Sequence, residues 1–92
     1  MIVSFIHKGL AELYETGKTA RINRSFHKRL LIRLDALAAA KEPEHMRVPG
    51  FDFHPLRGHV PTRYSVHVNG PWCVTFEWNG VNATKVDFEQ YH

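Results

Sequence analysis

Histidine is the first residue type to weigh, because free imidazole titrates near neutrality and can both take and release a proton in one reaction. Of the seven histidines in the chain, His54 has the most suggestive neighbours, in Phe53-His54-Pro55-Leu56-Arg57-Gly58. The guanidinium of Arg57 can hold an anion, and the glycine beside it lets a substrate backbone come close. The grouping suits chemistry at a phosphate, although the commoner role for a histidine at a strand end is an idle one. Strand parity adds a condition. Residues three apart point to opposite faces of a regular strand, so Pro55 or Gly58 must end or distort it if His54 and Arg57 serve one site. A second cluster closes the sequence, Glu89-Gln90-Tyr91-His92, where a phenol, an imidazole and the terminal carboxylate fall together. Tails of this kind are ordinarily frayed.

Other chemistries find no support in the residue pattern. The sequence holds no Gly-rich phosphate loop, no His-x-x-x-His or paired-cysteine metal spacing and no nucleophile elbow. Cys73 is the single cysteine, which excludes an internal disulfide and a cysteine-built zinc site. It sits within Trp72-Cys73-Val74-Thr75-Phe76, where a cysteine ordinarily packs as a small apolar residue instead of attacking a substrate.

The elements that must position these residues follow from spacing. Residues 2–6, Ile-Val-Ser-Phe-Ile, form a short strand-prone run; Leu10, Leu13 and Tyr14 follow at helical spacing, with Gly17 placed as a stop. A second, longer helix starts near Asn23 or Ser25, either of which can cap free N–H groups, and runs to about Lys41. Phe26, Leu30, Leu34 and Leu37 make its buried stripe, with Lys28, Arg29 and Arg33 lying away from it. Pro43 and Pro49-Gly50 mark residues 42–50 as a connection, after which alternation replaces helical spacing. Tyr64, Val66 and Val68 alternate with Arg63, Ser65 and His67, and Asn69-Gly70 is a strong hairpin signal before Trp72, Val74, Phe76 and Trp78. Asn79-Gly80 makes a second turn into a last strand around Ala83 to Phe88. The order β-α-α-β-β-β, with room for one more strand, is an α+β fold: a short N-terminal strand and two helices packed on a twisted antiparallel sheet.

A chain of 92 residues is too short to build two cores, so residues 1–92 are read as a single domain. No apolar run approaches the roughly 20 residues that span a bilayer, and Met1 to Leu10 lacks the pattern of a signal peptide. The expected location is the cytoplasm, with no membrane partner. The formal charge of +3 is unevenly spread: Lys18, Arg21, Arg24, Lys28, Arg29 and Arg33 occur without an Asp or Glu between them. Such a stretch suits nucleic-acid phosphates, whose neutralisation releases condensed counterions. A solvated helix face would carry similar charges.

Read together, these segments resemble the HigB-type toxins of the RelE/ParE superfamily over nearly the whole chain. The residues that carry the likeness are Met1-Ile2-x-Ser4-Phe5-x-His7-Lys8-Gly9-Leu10, Arg33-Leu34-Asp35-Ala36-Leu37, Pro49-Gly50 and His54-Pro55-Leu56-Arg57-Gly58. Ser65-x-x-Val68-Asn69-Gly70-x-Trp72, Thr75-Phe76 and the final Tyr91-His92 complete it. The resemblance implies a RelE-like fold and a ribosome-dependent, metal-independent endoribonuclease that cuts messenger RNA in the decoding site and needs no cofactor. It also implies a helix-turn-helix antitoxin of the HigA type, through which alone operator DNA is reached. On the matching positions, His54 and His92 become candidates for proton transfer, Tyr91 for orienting a nucleotide and Arg57 for holding the phosphate. Lys18, Arg21, Arg24, Lys28, Arg29, Arg33 and Arg63 become candidates for gripping ribosomal RNA.

Two positions depart from the family pattern. Where HigB-type sequences typically have arginine after the tryptophan, Trp72 is followed by Cys73, and an acidic residue before the final Tyr-His is replaced by Gln90. A thiol cannot supply the charge-assisted hydrogen bonds of a guanidinium, and an amide cannot take a proton as a carboxylate does. Losing an electrostatic stabiliser of this kind slows a reaction by roughly a hundredfold, with Arg63 or Glu89 as candidate compensators. Two alternatives therefore accompany the nuclease: a weakened toxin retained as a co-repressor with its antitoxin, and a ParE-like gyrase poison. The terminal Tyr-His pair disfavours the latter, which has no use for an imidazole there.

Overall fold

The computed structural model describes residues 1–91, and His92 lies outside the described residues. The first helix, α1 (Lys8–Thr16), is capped by His7, whose ring Nδ1 accepts from the Leu10 N–H at 3.2 Å. Gly17 ends it as spacing requires: at φ +86° it adopts a left-handed conformation natural to glycine, and its N–H donates to the Leu13 carbonyl. Leu10 and Leu13 are fully buried. The second helix begins more tightly than its pattern suggests. Asn23 accepts from the Ser25 N–H and caps a 3₁₀ turn, Arg24–Phe26, which leads into α2 (His27–Ala39). The helix stops two residues short of Lys41.

Leu30, Leu34 and Leu37 of α2 point into the core, joined by Arg33. The placement of Arg33 away from the buried stripe is thus corrected: residues 30, 33, 34 and 37 share one face of a helix, and the guanidinium is buried there. Its Nε donates to the His67 carbonyl at 2.6 Å, one terminal nitrogen donates to the Arg29 carbonyl, and the group lies 4.6 Å from the centre of the Phe51 ring. Burial, and then the charge of Arg29, lower its pKa from the ordinary arginine range.

Four antiparallel strands follow in spatial order β1-β2-β3-β4: β1 (His54–Leu56), β2 (Arg63–Asn69), β3 (Trp72–Trp78) and β4 (Ala83–Gln90). The short β1 is the additional strand that the alternation left open. Val66, Val74, Phe76 and Val86 face the helices and form the centre of the core with Leu10, Leu30 and Leu34. The β2–β3 turn is Gly70-Pro71, one residue later than Asn69-Gly70, because a bulge between His67 and Asn69 shifts the register so that Asn69 pairs with Trp72. Gly70, at φ +57°, takes the turn position that excludes most side chains.

The N-terminal run also differs from a regular strand. It lies along the outer edge of β4 through two separate parallel bridges, Ile2 to Ala83 and Phe5 to Val86. Between them the Lys85 N–H donates to the Ser4 hydroxyl, not to a backbone carbonyl, and Lys85 itself sits at φ +49°. That local bend prevents a continuous ladder, yet the segment still shields an edge that would otherwise be open to pairing with another chain.

Candidate active site

Side chains alternate across a strand, so the residues between the core positions of β2 and β3 are presented on the face away from the helices. There the sheet holds a cleft of about 260 Å³, lined among others by His54 and Leu56 of β1, Ser65 and His67 of β2, Cys73 of β3, and Tyr91. Register explains the grouping: His54 is the cross-strand partner of Ser65, and His67 that of Cys73. The chain just after β4 is fixed to the hairpin turn by the Tyr91 N–H, which donates to the Pro71 carbonyl at 2.7 Å. This bond delivers Tyr91 to the cleft instead of leaving it on a frayed tail.

The two imidazoles have defined proton positions, because a carbonyl only accepts. His54 Nδ1 lies 2.8 Å from the Asp52 carbonyl and must carry the hydrogen in that bond, leaving Nε2 with a lone pair in the neutral ring. His67 Nε2 lies 3.0 Å from the Gly70 carbonyl and donates to it, which in the neutral ring leaves the lone pair on Nδ1. The Tyr91 hydroxyl is 3.1 Å from Nε2 of His59, a residue of the loop after β1. Cys73 is buried, its thiol pointing weakly to the Pro71 carbonyl at 3.9 Å. The Ser65 hydroxyl is fully buried and has no hydrogen-bond partner among the described residues.

The sequence candidates divide. His54, Cys73 and Tyr91 meet in the cleft. Arg57 follows β1 in an exposed turn that Gly58 completes at φ +80°; the strand thus ends between His54 and Arg57, as joint service of one site required, though Arg57 stands outside the lining. Trp72 belongs to the other face, stacked 4.7 Å from Phe88 and edge-on to Phe26. Gln90 is exposed at the end of β4. His92 lies outside the described residues. Ser65, His59 and His67 received no role from sequence reasoning, although Ser65 stands in a family motif. Ser65 and His67 were visible as the alternate set of β2, but only register shows that they face His54 and Cys73.

Arg63 needs correction as an RNA-gripping residue, because it is buried on the strand and its donors are committed within the protein. It binds Glu77 at 3.2 Å, the Thr75 hydroxyl at 2.9 Å and the Lys85 carbonyl at 3.0 Å. Glu89, 3.9 Å away, completes the network and accepts from the Thr75 hydroxyl. The basic surface lies elsewhere. Lys18, Arg21, Arg24, Lys28 and Arg29 are exposed, and among the described residues none of them takes part in an ion pair. Lys18, Arg24 and Lys28 line a wide groove of about 1320 Å³ between the end of α1 and the start of α2. The groove is larger than the cleft, but its one imidazole, His27, is engaged with the Ile22 carbonyl. The cleft instead brings two imidazoles, a thiol and a phenol together, and is the candidate site. Among the described residues no group of three His, Cys, Asp or Glu side chains could hold a metal ion, and no helix is long and apolar enough to cross a membrane.

Two helices on one face of an antiparallel sheet, with imidazoles and a phenol gathered on the other, define a small α+β protein with a candidate site for proton transfer. Comparison with known proteins supplies its family. Residues 3–92 match the family described as the RelE-like toxin of the type II toxin-antitoxin system HigB, and the chain belongs to that family. It is 34% identical to the Endoribonuclease HigB of Proteus vulgaris over 92 residues, the whole of both chains. It is 32% identical to Toxin HigB-1 of Vibrio cholerae over 80 residues, covering 85% of this chain and 84% of the relative. As a type II toxin, the protein has an antitoxin as partner.

Proposed function

We propose that this toxin is an endoribonuclease, like its Proteus vulgaris relative, and that it cuts messenger RNA held in the decoding site of the ribosome. The observation that carries the reading is the cleft, in which His54 and Tyr91, distant in sequence, line one small space. In the reaction a ribose 2′-oxygen attacks the adjoining phosphorus, its proton passing to a base, while the 5′-oxygen leaves with a proton from an acid. A 2′,3′-cyclic phosphate and a 5′-hydroxyl result, and no metal or cofactor is consumed. His54 and His92 are the proton-transfer groups, Arg57 holds the phosphate and Tyr91 orients a nucleotide. The ribosome, gripped through Lys18, Arg21, Arg24, Lys28 and Arg29, brings the substrate into position, which turns a difficult encounter into an oriented one. The partner that silences the toxin is a HigA-like helix-turn-helix protein, through which operator DNA is reached, and the site of action is the cytoplasm.

Induction of the wild type in bacterial cells should arrest growth and cut transcripts, and His92→Ala should do neither. Equal arrest and equal cleavage by both would overturn the reading.

The burial of Cys73 in the cleft favours one second reading. If the guanidinium that relatives typically carry there contributes to cleavage, this chain is a weak nuclease that acts mainly with its antitoxin as a co-repressor. Cys73→Arg combined with Gln90→Asp should then make a nearly harmless chain toxic. Full toxicity of the natural chain would remove this reading.

A further inference from the structure

Among the described residues, the Ser65 hydroxyl is the one buried side-chain polar group left unpaired. It is fully buried, it has no hydrogen-bond partner among the described residues, and its residue contributes to the lining of the cleft. Folded proteins seldom bury a hydroxyl without pairing it, because water would satisfy it in the unfolded chain. The neighbouring Thr75, also fully buried, shows the ordinary outcome, since its hydroxyl bonds both Arg63 and Glu89. Packing does not call for the hydroxyl either, since an alanine would fill nearly the same volume and remove the unpaired group. The position is instead defined by what surrounds it. Ser65 lies directly across the strand pair from His54 and two residues before His67, the two imidazoles of the cleft.

We infer that Ser65 is a positioning residue for the substrate, its hydroxyl kept unpaired in the free protein so that it can bond a phosphate oxygen of RNA seated in the cleft. The inference rests on the proposed ribonuclease function and adds to it a residue that the family motif does not single out for chemistry. Because the hydroxyl is fully covered in the free protein, side chains lining the cleft must shift as RNA enters; serine's three staggered rotamers then let it turn to the ligand without moving the strand. A neutral donor at this point also fits the local chemistry, because Cys73, across from His67, brings no cation to the same space. The bond is made only when substrate is present, so removing it affects reaction and folding in opposite directions.

The test compares wild type with Ser65→Ala in two measurements: thermal unfolding of the free toxin, and single-turnover cleavage of a defined messenger RNA on programmed ribosomes. Ser65→Ala should unfold about 4 °C higher or more, as expected when a small domain loses an unpaired buried polar group. It should cleave about tenfold more slowly at saturating ribosomes, the effect of one hydrogen bond to a charged acceptor. The half-saturating ribosome concentration should not change, because ribosome affinity is carried by the basic residues. A general structural role for the serine would instead lower the unfolding temperature. Cleavage at the wild-type rate, or a lower unfolding temperature for Ser65→Ala, would overturn the proposal while leaving the nuclease reading intact. Failure of the wild type to cleave would remove the nuclease reading and this proposal with it.

Discussion

Arg33 and Arg29 look equivalent on paper, two guanidinium groups in one basic stretch, yet one belongs to the fold and the other to the surface. Arg33 ties α2 to the carbonyl of His67 and lies over Phe51, whereas Arg29 offers its side chain to solvent. Arg33→Ala should therefore cost about 2–4 kcal/mol in urea unfolding, because it strands a buried carbonyl and empties a packed site. Arg29→Ala should change stability by less than about 0.5 kcal/mol, as surface changes usually do, and should instead reduce the salt dependence of ribosome binding. The bond between His59 and the Tyr91 hydroxyl makes a different prediction. If His59 acts by orienting Tyr91, then His59→Phe and Tyr91→Phe should each slow cleavage, and the double variant should be no slower than the worse single one. Additive losses would mean that the two side chains act separately.

In α1, Gly9 is held by space and not by conformation. A β-carbon there would lie 2.7 Å from the β-carbon of Arg21, in the segment that crosses back over the helix. Alanine is ordinarily better than glycine inside a helix by up to about 1 kcal/mol, so Gly9→Ala tests which effect wins. The contact involves a side-chain root that cannot swing aside, and the variant should lose about 1–3 kcal/mol by thermal or chemical unfolding. Much of the element order was legible beforehand. Gly17 as a stop, Asn23 as a cap and the alternation in β2 and β3 are each local signals that tertiary contacts left in force. What escaped was non-local. Arg33 sits at a buried helix position that pattern reading reserves for apolar residues, and its partners come from β2 and from Phe51. The register of β2 was masked by the bulge at His67, which moved the turn to Gly70-Pro71. The cleft itself could not be read from motifs alone: His54 and Tyr91 carried signals, but Ser65 and His67 gain meaning only through the strands beside them.

The protein as a whole sets a cleft and a basic groove on two different faces. The cleft opens on the side of the sheet away from the helices, and the groove lined by Lys18, Arg24 and Lys28 lies between the helices. On the proposed function, replacing those three residues by alanine should weaken ribosome binding and lower its salt slope by about two, at roughly 0.7 per phosphate contact. The cleavage rate at saturating ribosomes should stay near that of the wild type; a proportional fall in that rate would show that the groove also takes part in chemistry. The bridges from Ile2 and Phe5 to Ala83 and Val86 have a consequence of another kind. Ser4 and Lys85, which meet between those bridges, are 81 positions apart, so the N-terminal run can dock only once β4 has taken its place. β4 leads directly into Tyr91, which is part of the cleft. Loosening the N-terminal run therefore loosens the strand that delivers Tyr91, so an edge remote from the cleft governs how firmly one wall of it is held.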